Sequence, residues 1–257
     1  MQTDPLPVDR RYKTSIPANA KPRPAIMCAG SSGKRVDYYL RGELVGTRHW
    51  DEGKLELEIP LRNGLRHGIE YTWFFGDWLS SAEPFHEGKP HGVAKQWSAA
   101  GKLIGTYKIV HGTGIDLWRN AVDGRDEGPY YLSEVWYLQE GSRHGFNWWI
   151  NEDQKTVSVE RHYRQGDPHG IEREWNLRGR LKRGFPKYFV RGEQVDKRRY
   201  LRAAEQDATL PRFQLKDNRP QRTFPAEIQP HLLGSRRDSA PGRSRPVRKP
   251  ASRGKTG

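Results

Sequence analysis

His67, His91, His144 and His169 each stand three residues after one glycine and directly before another. Imidazole is a metal ligand and a general base, so a recurring row of it raises zinc and base chemistry first. Zinc holds several ligand nitrogens at ~2.0–2.1 Å from one ion. If each recurrence adds two strands to a sheet, equivalent rings stand roughly 10 Å apart at ~4.8 Å per strand. The expected role is therefore structural, with each ring packed in its turn and bonded to nearby backbone.

The recurring glycines raise phosphate binding, but a phosphate cradle is a single loop that opens a helix and carries Lys and Ser/Thr at set places. These glycines return at every turn and precede strands, which points to positive-φ backbone. Glu70, Glu172 and Glu174 occupy alternating positions expected on a solvated strand face, with no unique second acid. No nucleophile motif surrounds Ser80, Ser98 or Ser133, and the single cysteine, Cys28, has no site around it. The expectation is a chain with no catalytic residue, no cofactor and no metal.

What positions these residues is a repeat. NGLRHGIEYTW (63–73), EGKPHGVAKQW (87–97), EGSRHGFNWWI (140–150) and QGDPHGIEREW (165–175) are near copies, and RGELVGTRHW (41–50) and VHGTGIDLW (110–118) are worn ones. The first glycine falls at Gly42, Gly64, Gly88, Gly112, Gly141, Gly166 and Gly192, at spacings of 22, 24, 24, 29, 25 and 26 residues. A second anchor runs in step at Gly53, Gly76, Gly101, Gly124 and Gly179. Periods of this length mean stacked supersecondary units. Each half-period of about ten residues fits one strand and a tight turn, not a crossover helix. Ile69, Tyr71 and Trp73 alternate onto one strand face, as do Ile171, Arg173 and Trp175. In the worn copies the Trp comes one position early, which predicts a bulge or register shift there.

Turn-Gly, x-x-His-Gly, a strand ending in Trp and then Gly-x-Leu resembles the degenerate MORN repeat of YwqK-family antitoxins, over roughly residues 36–195. The chain departs from it at Thr113–Gly114, where His–Gly is expected, and in the insert DGRDEGPYYLSE (123–134). The resemblance implies an elongated single-layer antiparallel β-meander of hairpins and a protein partner, with a toxin as one instance. It carries no catalytic signature.

Composition agrees with a thin layer. Hydrophobic residues make up 34% of the 257 residues, aromatics 11%, and there are nine Trp, so the core rests on a few large flat side chains. Trp73, Trp97, Trp148 and Trp175 form the expected core stripe. Phe74, Trp78, Trp136 and Tyr137 fall outside it and are the candidate partner-binding residues, because exposed aromatics on a rigid sheet make good anchors. Arg62, Arg66, Arg143 and Arg164 flank the turns and are expected in water.

The net charge of +14 divides unevenly: residues 1–35 contribute +5, residues 201–257 contribute +8, and the repeats only +1. Weak, non-specific binding of nucleic acid or anionic lipid through the tail is the alternative function, with Arg236, Arg237, Arg243, Arg245, Arg248 and Lys249 as polyanion contacts. One Cys suits a reducing compartment. Charged and Pro-rich residues precede Cys28 where a lipoprotein leader would be apolar. No run reaches the ~18 apolar residues of a membrane span. A cytoplasmic location is expected.

The domain reading is a disordered N-terminal arm (1–35), hairpin repeats (36–195), a short capping helix (196–208) begun by Asp196, and a Pro/Arg-rich, largely disordered tail (209–257). Within the tail, residues 211–234 hold scattered apolar side chains with the option of docking back. The function expected is a non-enzymatic interaction scaffold, of which an antitoxin or immunity-like protein is one case.

Overall fold

The computed structural model describes residues 6–25, 33–122 and 128–232. After β1 (Lys21–Pro24) the chain makes hairpin after hairpin: β2 (Lys34–Leu40) with β3 (Glu43–Asp51), β4 (Lys54–Arg62) with β5 (Leu65–Arg66) and β6 (Gly68–Phe74), β7 (Trp78–His86) with β8 (Lys89–Pro90) and β9 (Gly92–Trp97), β10 (Leu103–Val110) with β11 (Thr113–Ala121). Then follow β12 (Tyr130–Gln139) with β13 (Ser142–Ile150), β14 (Val157–Arg164) with β15 (Asp167–Pro168) and β16 (Gly170–Glu174), β17 (Lys187–Val190) with β18 (Glu193–Val195), and α1 (Lys197–Gln206). Each strand pairs antiparallel with its sequence neighbour. The result is the expected single open sheet of hairpins with one short helix.

Seven hairpins form, one at each of the seven first glycines, with Gly192 heading the last. All seven turns have two residues with positive φ, from Arg41 (51°) and Gly42 (87°) to Arg191 (51°) and Gly192 (83°). This mirror-image turn matches the right-handed twist of the strands, which is why glycine recurs at its second position. The turns lie along one rim, and from the Gly64 turn onward each is tied to the next. Gly88 N–H donates to the Arg66 carbonyl, Gly112 to Pro90, Gly141 to Gly112, Gly166 to Arg143 and Gly192 to Pro168, at 2.8–2.9 Å. Bulges fall at Trp118 and beside Trp50 in the worn copies, as expected, and also beside Trp73. The second half of the insert, from Tyr130, is the start of β12.

Alternation gives the sheet two faces. The first carries Arg48, Glu58, Tyr71, Trp73, Trp97, Trp148, Glu160, Arg173 and Trp175, and segments of the N-terminal arm and the C-terminal tail pack on it. Here the expected domain reading needs correction. The N-terminal arm is ordered over residues 6–25: Ile16 and Ala20 are buried, Tyr12 sits edge-on to Tyr71 and Trp73 at 5.0 Å, and β1 extends the sheet beside β2. Composition hid this, because the segment uses few apolar residues and fits them between existing aromatics. The tail likewise docks over 210–232. Leu210, Phe224 and Ile228 are buried, and Phe224 packs edge-on to Trp148 at 5.7 Å. Residues 1–5, 26–32, 123–127 and 233–257 lie outside the described residues.

Two buried ion pairs anchor these covers. Arg48 donates to Glu58 at 2.7 Å, and Glu58 also accepts from the Tyr12 hydroxyl at 2.6 Å. At the other end Glu160 accepts from Arg173 (2.6 Å), Arg222 (2.7 Å) and the Trp148 indole (2.9 Å). Burial alone would raise the Glu160 carboxyl, but the Arg222 and Arg173 charges outweigh it and hold it below its ordinary value. Asp196 caps α1 by accepting from Arg199 N–H, and the helix buries Tyr200 and Ala204 in a small cluster with Tyr188.

Candidate functional site

The second face carries one continuous cross-strand row. Glu70 stands opposite Glu83, Ala94 opposite Tyr107, Asp116 opposite Trp136, Trp136 opposite Asn147, and Asn147 opposite Arg161. Arg161 then donates to Glu172 at 2.8 Å, and Glu172 stands opposite Lys187. The row is acidic in its middle and alternates in charge toward its C-terminal end.

At its centre the Tyr107 hydroxyl donates to Glu83 Oε2 at 3.2 Å, and Asp116 reaches the same hydroxyl. Burial pushes Glu83 up to about 7, with the Asp116 and Glu70 charges adding to the effect. Burial pushes Asp116 up to about 6 against the hydrogen bonds of Trp118 and Tyr107. Burial likewise raises Glu70, opposed by Arg66 at 3.2 Å, and Glu134. Neither Glu83 nor Asp116 has an ion-pair partner among the described residues. Further along, Arg143 lies 3.8 Å over the Trp136 ring and Arg161 5.3 Å over Trp149. This arrangement can hold and release protons and can seat cations against aromatic faces. Among the described residues no three His, Cys, Asp or Glu are grouped to hold a metal ion.

The four candidate aromatics are not brought together. Phe74 and Trp78 meet at 4.7 Å, tilted by 30°, and Phe75 joins at 4.5 Å from Phe74, forming an exposed knob at the β6–β7 hairpin tip. Phe74 is 43% and Phe75 70% exposed. Trp136 lies on the second face. Tyr137, its chain neighbour, points to the first face and packs edge-on to Trp148 at 6.1 Å, against the core. Its assignment to a surface is therefore corrected: strict alternation puts adjacent residues on opposite faces. The six basic tail residues lie outside the described residues, as does Cys28.

Three of the four recurring histidines act as expected, with one addition, whereas His144 Nδ1 is buried and accepts no hydrogen bond. His67, His91 and His169 each accept through Nδ1 the backbone N–H of the next hairpin's turn, at Glu87 (3.5 Å), His111 (3.0 Å) and Arg191 (3.0 Å). In the third unit Thr113 Oγ1 takes over and accepts from Glu140 N–H at 3.2 Å. The ~10 Å spacing holds only for equivalent residues. His86 and His111 fill the gaps, so that His67, His86, His91 and His111 form a chain of rings 4.3–5.8 Å apart.

Ser80 and Ser133 donate to strand carbonyls and Ser98 accepts from Lys102, all local turn or bulge roles. Glu172 and Glu174 pair with Arg161 rather than standing free in water. Sequence reading missed Glu83, Tyr107 and Asp116. Their signal was present only as membership of the strand face opposite the Trp stripe, in three different units.

No protein-family model matches the chain, and no curated protein matches it in sequence. No helix among the described residues is long and apolar enough to cross a membrane.

Proposed function

We propose that this chain is a non-enzymatic repeat scaffold for protein–protein interaction, of the MORN-like antitoxin or immunity type, which occludes a partner such as a toxin. The observation that carries this reading is the aromatic knob of Phe74, Phe75 and Trp78. Phe74 contacts both Phe75 and Trp78, Phe74 and Phe75 are exposed, and the group is held on a three-residue turn in which Phe75 (47°) and Gly76 (68°) both have positive φ. A rigid, preformed apolar projection costs little ordering entropy on binding and can fill a pocket of its partner.

The test is affinity capture from the source cells with the full chain and with Phe74→Ser/Phe75→Ser/Trp78→Ser. A partner retained by the parent and lost from the triple variant, at an unchanged melting temperature, supports the reading. A partner retained by both moves the contact elsewhere. Toxicity of the captured partner, relieved by co-expressing this chain, identifies the antitoxin case. The alternative, polyanion binding through the tail, is favoured by its +8 charge. It predicts salt-sensitive DNA binding that disappears on deleting residues 235–257.

A further inference from the structure

The acidic centre of the second face lacks the partner that its other half possesses. At the C-terminal end each acid of the row has a cation: Arg161 reaches Glu172 at 2.8 Å and Glu174 at 3.4 Å, while lying on the Trp149 ring. At the centre Glu83 and Asp116 share one phenol, which has a single proton to give; Asp116 also has the Trp118 hydrogen bond, and the Arg66 and Arg143 charges act on the two acids only from outside ion-pair distance. The lysines of the intervening strands, Lys95 and Lys108, belong by register to the opposite face. Arg66 is committed to Glu70 and to the Phe85 ring, and Arg143 to Trp136 and Tyr163.

Independent evidence comes from neutral groups on the same face. Asn147, two strands along the same row, is fully buried, yet both its side-chain oxygen and its nitrogen are unpartnered. Ser81, on the same face of β7 as Glu83, is 1% exposed and its hydroxyl is unpartnered. Asp116 Oδ1 is buried and unpartnered too. Buried polar atoms left unpaired cost about 1–3 kcal/mol each, and the unpaired acceptors among them, Ser81 Oγ, Asp116 Oδ1 and Asn147 Oδ1, on the face of two carboxyls that have no ion-pair partner among the described residues, mark a place able to receive donors.

We propose that Glu83, Tyr107 and Asp116 form a seat for a cationic side chain, a guanidinium or ammonium, presented by a partner protein. A guanidinium supplies donors only, in a planar fork suited to two carboxylates, and stacks on rings. Arg161 on Trp149 beside Glu172 already displays this mode on the same face. The proposal rests on the protein-interaction reading but uses a surface separate from the aromatic knob.

The probe is a fluorescein-labelled tetra-arginine peptide, titrated by anisotropy at pH 8 against the full chain. Glu83→Gln/Asp116→Asn should weaken binding at least tenfold. Glu43→Gln/Glu205→Gln, which removes two exposed acids elsewhere, should leave it within twofold, and so should the knob triple variant. Carboxyl carbon resonances of Glu83 and Asp116 should move on adding peptide. Equal loss in both acid variants would reduce the effect to net charge and overturn the seat, as would unchanged binding in the first. Loss of the seat with partner capture intact leaves the scaffold reading standing, and the converse separates the two in the other direction.

Discussion

Arg48 and Glu58 face each other across β3 and β4 at 2.7 Å with only 8% and 0% of their side chains exposed, and Glu160 and Arg173 do the same across β14 and β16 at 2.6 Å. Each pair lies under a terminal segment that adds its own ligand, Tyr12 in the first case and Arg222 in the second.

Removing one member of such a pair strands the other charge away from water, at a cost of about 3–5 kcal/mol. Glu58→Gln should therefore lower the urea midpoint by much of the total stability, since whole domains have only ~5–15 kcal/mol. Arg48→Met/Glu58→Leu should cost far less than Glu58→Gln. A single variant within 1 kcal/mol of the parent would mean that the pair is hydrated.

Gly42 and Gly112 occupy the same turn position with φ of +87° and +76°, but a Cβ on Gly42 meets nothing, whereas on Gly112 it would meet Gly141 N at 2.2 Å. Gly42→Ala should cost only the ~1–2 kcal/mol of left-handed backbone. Gly112→Ala must in addition separate two tied turns and should cost clearly more. Equal melting temperatures for the two variants would refute the tie.

The Trp stripe should divide in the same manner. Trp175 is 4% exposed and its indole donates to the Asn218 carbonyl at 2.8 Å, so Trp175→Ala should cost ~3–5 kcal/mol. Trp97 is half-buried beneath the Arg11 guanidinium, 5.2 Å from the ring. Trp97→Ala should cost less than half as much, measured by chemical denaturation.

Glu83 sets a pH dependence. Its folded value of about 7 exceeds the ordinary 4.5, so the folded state holds the proton more tightly. The stability linked to this proton is present below about 4.5 and is lost as pH rises through about 7. At about 1.4 kcal/mol per unit the shift corresponds to roughly 3 kcal/mol. Glu83→Gln should thus gain stability relative to the parent between pH 4 and pH 8, and a pH-independent difference between the two would count against burial of the carboxyl.

The hairpins, the period, the positive-φ turns and the capping helix were all legible in the sequence, because each rests on local signals: glycine at turns, alternation in strands, Asp196 before α1. The covers were not. Ile16, Phe224 and Ile228 find their places only once the sheet has gathered Trp73 and Trp148 from distant units. The acidic centre was hidden for the same reason: Glu83, Tyr107 and Asp116 lie on three strands, and only register makes them neighbours. Phe74 and Trp78 were found because both flank one turn, while pairing Trp136 with Tyr137 ignored the parity of the strand.

Among the described residues the backbone ties between successive two-residue turns run along one rim, while the opposite rim has side-chain links such as Lys54 to Asp77, and this asymmetry governs where the chain tolerates change. On the tied rim every connection is the same two-residue turn. On the opposite rim the links run from two residues between β3 and β4 to eight between β11 and β12 and twelve between β16 and β17. The lengthened 29-residue spacing falls there as well. That more variable rim is consequently the margin at which new loops can be grafted, lengthened or recombined while the opposite rim keeps the units in register.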